Sequence, residues 1–252
     1  MDYDNRIAEC ETLKQELDRF RPFDAELLDS LRKYFRVSLT YTSNALEGNT
    51  LTESETKVVL EDGITIGGKP MRDHLEAIGH AKAFDVLYSL LDREASETDL
   101  LMLHRLVLDG ISETVSGEYR TKQVVITGTE YLPPDYPKVP QLMARFFKEL
   151  LPTWKESYSP VEVAARAHLE LVTIHPFTDG NGRTARLLMN LLLLKSGYGP
   201  TIIPPILRGD YIALLRIAQV ENNPLPFISF ISDRVYESLK ETIRLVKHLK
   251  AV

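Results

Sequence analysis

Cysteine is almost absent from this chain of 252 residues, with Cys10 the single one. That excludes a disulfide framework and a thiolate zinc cluster. Long apolar runs are also missing. The most apolar stretch, Leu187 to Leu194, falls far short of the ~20 residues that cross a bilayer. Charge of neither sign gathers into a long run and the net charge is −6, which argues against a surface for carrying nucleic acid. No G-x-x-x-x-G-K-[ST] loop is present, so the phosphate site of P-loop proteins is excluded. The opening Met-Asp-Tyr-Asp-Asn lacks the basic and apolar regions of a signal peptide. The expectation is a soluble cytoplasmic protein with no membrane and no nucleic-acid partner.

What is present is helical periodicity. Apolar residues recur at helical spacing over 3–20, 24–47, 52–62, 71–92, 97–109, 138–151, 160–174, 183–196, 207–220 and 225–249. Only 117–128 alternates as strands do. The predicted fold is all-α, a helical bundle with one β-hairpin. Residues 1–20 are more charged, and are expected to form an arm or a contact in a homo-oligomer.

One stretch concentrates chemistry: His175-Pro-Phe-Thr-Asp-Gly-Asn-Gly-Arg-Thr-Ala-Arg186. Before it, Ser159-Pro160-Val161-Glu162 reads as an N-cap, a first-turn proline and a reciprocal glutamate cap. Pro176 disfavours helix at the residue preceding it, so that helix should end near His175. After the loop comes a helix apolar on nearly every side, which belongs at the centre of a bundle. A glycine loop opening a buried helix aims backbone N–H groups at an anion. Arg183 and Arg186 open that helix, where the dipole disfavours cations, and their spacing puts them on one face; a polyphosphate would satisfy both. His175 titrates near neutral pH and suits proton transfer. Asp179 is the kind of single carboxylate that holds Mg²⁺ beside phosphates. Asn181 and the N–H groups of Gly180 and Gly182 can stabilise charge developing on a phosphate.

Rival readings fail on context. Gly180 to Ala185 matches G-x-G-x-x-A, but a helix rather than a strand precedes it, and no acid follows about 20 residues later. His168 and His175 would lie roughly 10 Å apart along a helix, too far to share a metal. His168 reads as a core histidine.

His175 to Arg186 resembles the H-P-F-x-D-G-N-G-R-x-x-R signature of Fic proteins, with every defining position filled. The resemblance implies transfer of a nucleoside monophosphate, usually AMP from ATP, to a Tyr, Thr or Ser hydroxyl of a target protein, with self-modification as one outcome. It implies His175 as general base, Asp179 as Mg²⁺ ligand, Gly180, Asn181 and Gly182 around the phosphates, and Arg183 and Arg186 on the β- and γ-phosphates. The kinase-like Doc branch lacks the second glycine, present here as Gly182. Gly117 to Gly128 resembles the Fic flap, whose Val124, Val125, Ile126 and Thr127 would align a target chain by strand addition. Tyr211 corresponds to a position lining the adenine pocket. The implied division is an N-terminal helical region over 1–95, a Fic core over 96–233 with the flap at 117–128 and the loop at 175–186, and the end of a C-terminal helix over 234–252.

Ser43-Asn-Ala-Leu-Glu47-Gly48 resembles the inhibitory motif [S/T]-x-x-x-E-[G/N] of the same family, in the class with an N-terminal inhibitory helix (about 24–48). The helix from Asp24 is expected to end at Gly48-Asn49 and the chain to restart with a capping box at Thr52–Glu55. Glu47 would then lie in the last turn, where the dipole disfavours an acid. An anion at one helix end and cations at another helix start both break local rules, and pairing Glu47 with Arg186 resolves both. Such violations tend to mark functional sites. With Glu47 in place, the same site could also orient water to remove AMP. The competing class is a non-catalytic nucleotide-sensing or scaffold module, which would have no need of His175.

Overall fold

The structure is a computed structural model that describes residues 3–112 and 116–250. Eleven α-helices are seen among them: α1 (Tyr3–Asp18), α2 (Ala25–Ala45), α3 (Glu53–Lys57), α4 (Met71–Leu87), α5 (Glu97–Val107), α6 (Val139–Arg145), α7 (Leu151–Ser157), α8 (Pro160–Ile174), α9 (Asn181–Lys195), α10 (Arg208–Val220) and α11 (Leu225–Lys250). None is long and apolar enough to cross a membrane.

Helix α9 is the axis of the bundle. Nearly every side chain from Arg183 to Leu193 is buried, as its unbroken apolar sequence requires. It packs on α8 and α5, with α4 and α2 against its other side. One core joins Cys10 and Leu17 of α1 to Leu171 of α8, Leu188 of α9 and Val235 and Val246 of α11. The boundary drawn at 233/234 falls inside the continuous helix α11. Asn190 is the polar exception in the apolar run and is fully buried. Its side chain accepts from Thr201 N at 2.6 Å and donates to the Arg186 and Thr201 carbonyls at 2.9 and 3.2 Å, holding the 200–203 segment to α9. Asn190→Ala is expected to leave the Thr201 N–H unsatisfied at a cost of about 1–3 kcal/mol. At ~2–4 °C per kcal/mol for a chain this long, the midpoint of thermal unfolding should fall by several degrees.

Three local expectations need correction. Residues 3–18 are not a detached arm but the helix α1, packed on α11. Ile7, Cys10, Leu13 and Leu17 recur at helical spacing and pack into the core, while the charges face outward, Arg6 reaching Asp233 at 2.6 Å. The Ser159 hydroxyl does cap Glu162 N, but Glu162 does not return the bond. Arg166, four residues on, takes its carboxylate at 2.6 Å. The third concerns 117–128, which forms no β-hairpin. Among the described residues no strand ladder is present, and Arg120 and Gln123 do the holding. Arg120 donates to the Lys122 and Pro134 carbonyls, and Gln123 to the Pro133 carbonyl while accepting from Tyr136 N. Pro133 and Pro134 have no N–H to offer a partner strand.

Candidate functional site

His175 is the last residue of the α8 turn. Its N–H bonds the Leu171 carbonyl at 2.9 Å, and its backbone is left-handed (φ 51°). That conformation costs a non-glycine residue about 1–2 kcal/mol, so something must hold it. Arg120 does: its Nε donates to the His175 carbonyl and its N–H to the Pro176 carbonyl, both at 2.9 Å. On the ring, Nδ1 faces the Val172 carbonyl at 3.4 Å, a bond that assigns the proton to Nδ1 and leaves Nε2 as acceptor. Burial chiefly, and Arg120 secondarily, hold the imidazole below its ordinary pKa, against the opposing pull of the Val172 carbonyl, Glu47 and Asp179.

Beyond His175 the loop is pinned from inside. Asn181 accepts from Phe177 N at 3.0 Å and donates to Phe177 O at 2.8 Å. Its side chain thereby holds the loop closed, and Asn181 also lines the site's cavity. The Phe177 ring stacks on His104 of α5, 3.6 Å between centroids and 7° from parallel. His104 accepts from Gly117 N at 2.9 Å, which fixes its Nε2–H as donor to the Asp179 carbonyl at 3.0 Å. Burial pushes its pKa down to about 4, so the imidazole stays neutral and keeps both bonds.

Glu47 and Arg186 meet as the motif required. Arg186 NH2 donates to Glu47 Oε1 at 2.7 Å and to the Ser43 carbonyl at 2.7 Å, while Nε donates to the Ser43 hydroxyl at 2.9 Å. Its NH1 reaches the buried Tyr211 hydroxyl at 3.3 Å, which also bonds His168 Nε2 at 2.9 Å. Glu47 lies in a turn beyond the last residue of α2, not in its last turn; Leu46 is the cap, and Gly48 bends the chain at φ 97°. The carboxylate lies directly on Gly182, where a Cβ would come within 2.3 Å of Glu47 Oε1. A larger residue there would have to displace the Glu47 carboxylate. An anion thus already occupies the start of α9, as the helix dipole favours.

Arg183 does not point the same way as Arg186. Fully buried, it pairs with Glu76 of α4 at 3.1 Å and with Asp179 at 3.2 Å. With α9 beginning at Asn181, Arg186 belongs to its second turn, not its first. Each arginine has drawn a carboxylate from the N-terminal helices. Asp179 also accepts from Gly180 N at 2.6 Å and from Arg72 of α4 at 2.7 Å. Burial would raise its carboxyl, but Arg183, Gly180 N–H and Arg72 bring it below the ordinary value.

Glu47, Ile126, Thr127, His175, Asn181, Gly182 and Tyr211 are among the residues lining one cavity of about 150 Å³. Ligand cavities usually run to 300–1,000 Å³, so this one is small, and the Glu47 carboxylate takes up part of it. Along the 117–128 segment, Val124 and Ile126 are partly buried and Val125 and Thr127 exposed. The strand-like alternation survives without a ladder. Sequence inspection passed over Arg72, Glu76, His104 and Arg120. Each lies far along the chain from the loop, so only Asp179's need for partners hinted at them.

The arrangement defines a class of helical bundle in which a histidine and the glycine start of a central helix face one cavity, with Arg186 bonded to the Glu47 that lines it. Residues 94–193 match the Fic/DOC family. Protein adenylyltransferase Fic of Drosophila melanogaster is 40% identical over 201 residues, covering 79% of this chain and 40% of the relative. Its counterpart in Drosophila virilis is 41% identical over the same length. The chain spans about two fifths of the length of these curated relatives. Among solved structures, Fic-1 from C. elegans superposes with a TM-score of 0.82 at 33% identity, over 98% of this chain and 73% of that one. A Fic domain containing signaling protein from Bacteroides thetaiotaomicron gives 0.87 at 28% identity, over 95% and 97%. The chain belongs to the Fic/DOC family.

Proposed function

We infer that the protein is an adenylyltransferase that moves AMP from ATP to a hydroxyl side chain of a target protein, and that Glu47 holds it inactive. The observation that carries this is the Glu47 carboxylate seated on Gly182 and Arg186, where a nucleotide's terminal phosphate would compete for the same groups. The mechanism follows from the residues. The acceptor hydroxyl gives its proton to His175 Nε2. Its oxygen bonds the α-phosphorus as the bond from that phosphorus to the α–β bridging oxygen breaks, and pyrophosphate leaves. Donors at the start of α9 and the freed Arg186 stabilise phosphate charge, and positioning supplies most of the acceleration, as in phosphoryl transfer generally.

Mg²⁺ fits the site by its donor chemistry. Among the described residues no cluster of three or more His, Cys, Asp or Glu stands ready for a metal. Asp179 offers a lone carboxylate beside the phosphate position, and Mg²⁺ typically takes one or two carboxylates and completes its shell with phosphates and water. When bound, the ion supplies charge neutralisation on the phosphates.

The decisive experiment uses the Glu47→Gly protein and two labels. Label from α-labelled ATP should enter acceptor protein and label from γ-labelled ATP should not. Incorporation of the γ-label would identify phosphate transfer and overturn the assignment. A second activity, removal of AMP from a modified protein, is favoured by one observation: Glu47 and His175 line the same cavity, a carboxylate and a base that together can place a water.

Residues 117–128 serve target docking in this scheme. Their backbone has no ladder partner and Val125 is 75% exposed, which leaves an edge for strand addition. Val125→Asp is expected to reduce modification of a protein acceptor about tenfold, a ~1.4 kcal/mol loss, with ATP affinity unchanged. Measuring both on one preparation checks it; equal loss of both would point to misfolding.

A further inference from the structure

Helix α4 puts a third arginine at the site, one that belongs to neither of the two motifs. Arg72 is its second residue. Its NH2 donates to Asp179 Oδ2 at 2.7 Å and its Nε to Glu76 Oε1 at 3.0 Å. The other Asp179 oxygen, Oδ1, is already held by Gly180 N and Arg183. Oδ2 is therefore the oxygen left for an incoming cation, and a cation of the protein's own covers it.

We propose that Arg72 is a resident competitor for the metal at Asp179, a second lock that must move aside before a divalent ion can bind with the nucleotide. The proposal rests on the assignment of Asp179 as metal ligand. Both partners are about half exposed, 56% for the Arg72 side chain and 46% for Asp179. Arg72 is thus free to swing into solvent without opening the core. Glu76 gives it a place to remain, because the Nε bond does not depend on Asp179. Glu76 itself is buried and tied into the first lock. Its Oε2 accepts from Asn49 Nδ2 at 3.0 Å, in the turn that carries Glu47, and its Oε1 also holds Arg183 at 3.1 Å. One carboxylate of α4 therefore touches the turn that carries Glu47, the buried Arg183 and the metal competitor. The charge logic agrees: a divalent ion arriving at Asp179 would face the Arg72 guanidinium at contact distance.

An exposed ion pair contributes modestly, so its loss should tighten metal binding about two- to fivefold. The test is a Mn²⁺ titration followed by the electron paramagnetic resonance of free ion, Mn²⁺ standing in for Mg²⁺. All proteins carry Glu47→Gly, and saturating α,β-methylene-ATP is present, which cannot be cleaved at the reacting bond. Arg72→Gln is expected to reach half-saturation at two- to fivefold lower Mn²⁺ than the parent, and Arg72→Ala, the second variant at this exposed position, should behave alike. Asp179→Ala should need far more. If both Arg72 variants bind Mn²⁺ no tighter than the parent while Asp179→Ala is weakened, Arg72 is not a competitor and the metal assignment stands. Should Asp179→Ala bind like the parent, the metal assignment fails and the competitor role fails with it.

Discussion

Replacing Glu47 with glycine is expected to raise AMP transfer by about a hundredfold or more. With the carboxylate on Gly182 and Arg186, a nucleotide can enter only with its terminal phosphate displaced, and misalignment of reacting groups by about 1 Å can cost 10²-fold in rate. Glycine removes the carboxylate and leaves Arg186 with the Ser43 and Tyr211 oxygens as partners, a buried guanidinium with room for a phosphate. Adding Arg186→Ala to Glu47→Gly should return the rate toward that of the unmodified protein, because the gain depends on that arginine. AMP removal, which uses the carboxylate, should disappear in the Glu47→Gly protein. A time course of α-labelled ATP incorporation for the three proteins decides it. A folded, ATP-binding Glu47→Gly protein no faster than the parent would end the inhibitory assignment.

The second large effect lies at His175. His175→Ala in the Glu47→Gly background should lower the transfer rate by about 10²–10⁴-fold, the usual loss for a general base. ATP affinity should hold nearly constant, since the phosphate contacts come from the start of α9 and from Arg186. The acid limb of the pH profile adds a second check. The base works only when unprotonated, and burial together with Arg120 keeps its pKa below the ordinary 6.5. Activity should therefore persist as pH falls past 6.5 and decline only below it. Glu47 pulls this pKa upward, so its removal should move the limb to still lower pH. Full transfer by His175→Ala would remove His175 from the mechanism and leave the proton to another acceptor.

Much of this site was legible in the residues. Glu47 and Arg186 each read in the sequence as breaking a helix-end preference, and two apparent violations of opposite sign named each other as partners, although Glu47 lies just past the end of α2 and Arg186 in the second turn of α9. The apolar run of α9 announces a central helix, and Pro176 announces the end of α8. Other features were hidden because they depend on distance in the chain. Arg183 reads as a twin of Arg186, but Glu76, which turns it aside, arrives from another helix. That Asn181 also pins Phe177 is a property of the folded loop, not of the residue's place in the motif. The 117–128 segment alternates like a strand, and alternation reports which face is buried, not whether a ladder forms. Arg120 and Gln123 took the hydrogen bonds a partner strand would have offered. In residues 1–20 the surface charge drew attention from Ile7, Cys10, Leu13 and Leu17, whose spacing carries the core contact.

If Glu47 inhibits as proposed, its position also sets the tempo of control. It lies beyond the last residue of α2, in a turn closed by its own N–H to the Asn44 carbonyl and by Gly48 N–H to that of Ala45. Withdrawing the carboxylate rearranges that turn and leaves the hydrogen-bond ladder of α2 whole. Loop motions of this size run in nanoseconds to microseconds, whereas a typical enzyme turns over about ten times per second. On that scheme each molecule would sample its released arrangement many times within one catalytic cycle. Restraint of this kind acts through the fraction of time spent open and not through a slow gate, and any influence that shifts that fraction scales the rate in proportion.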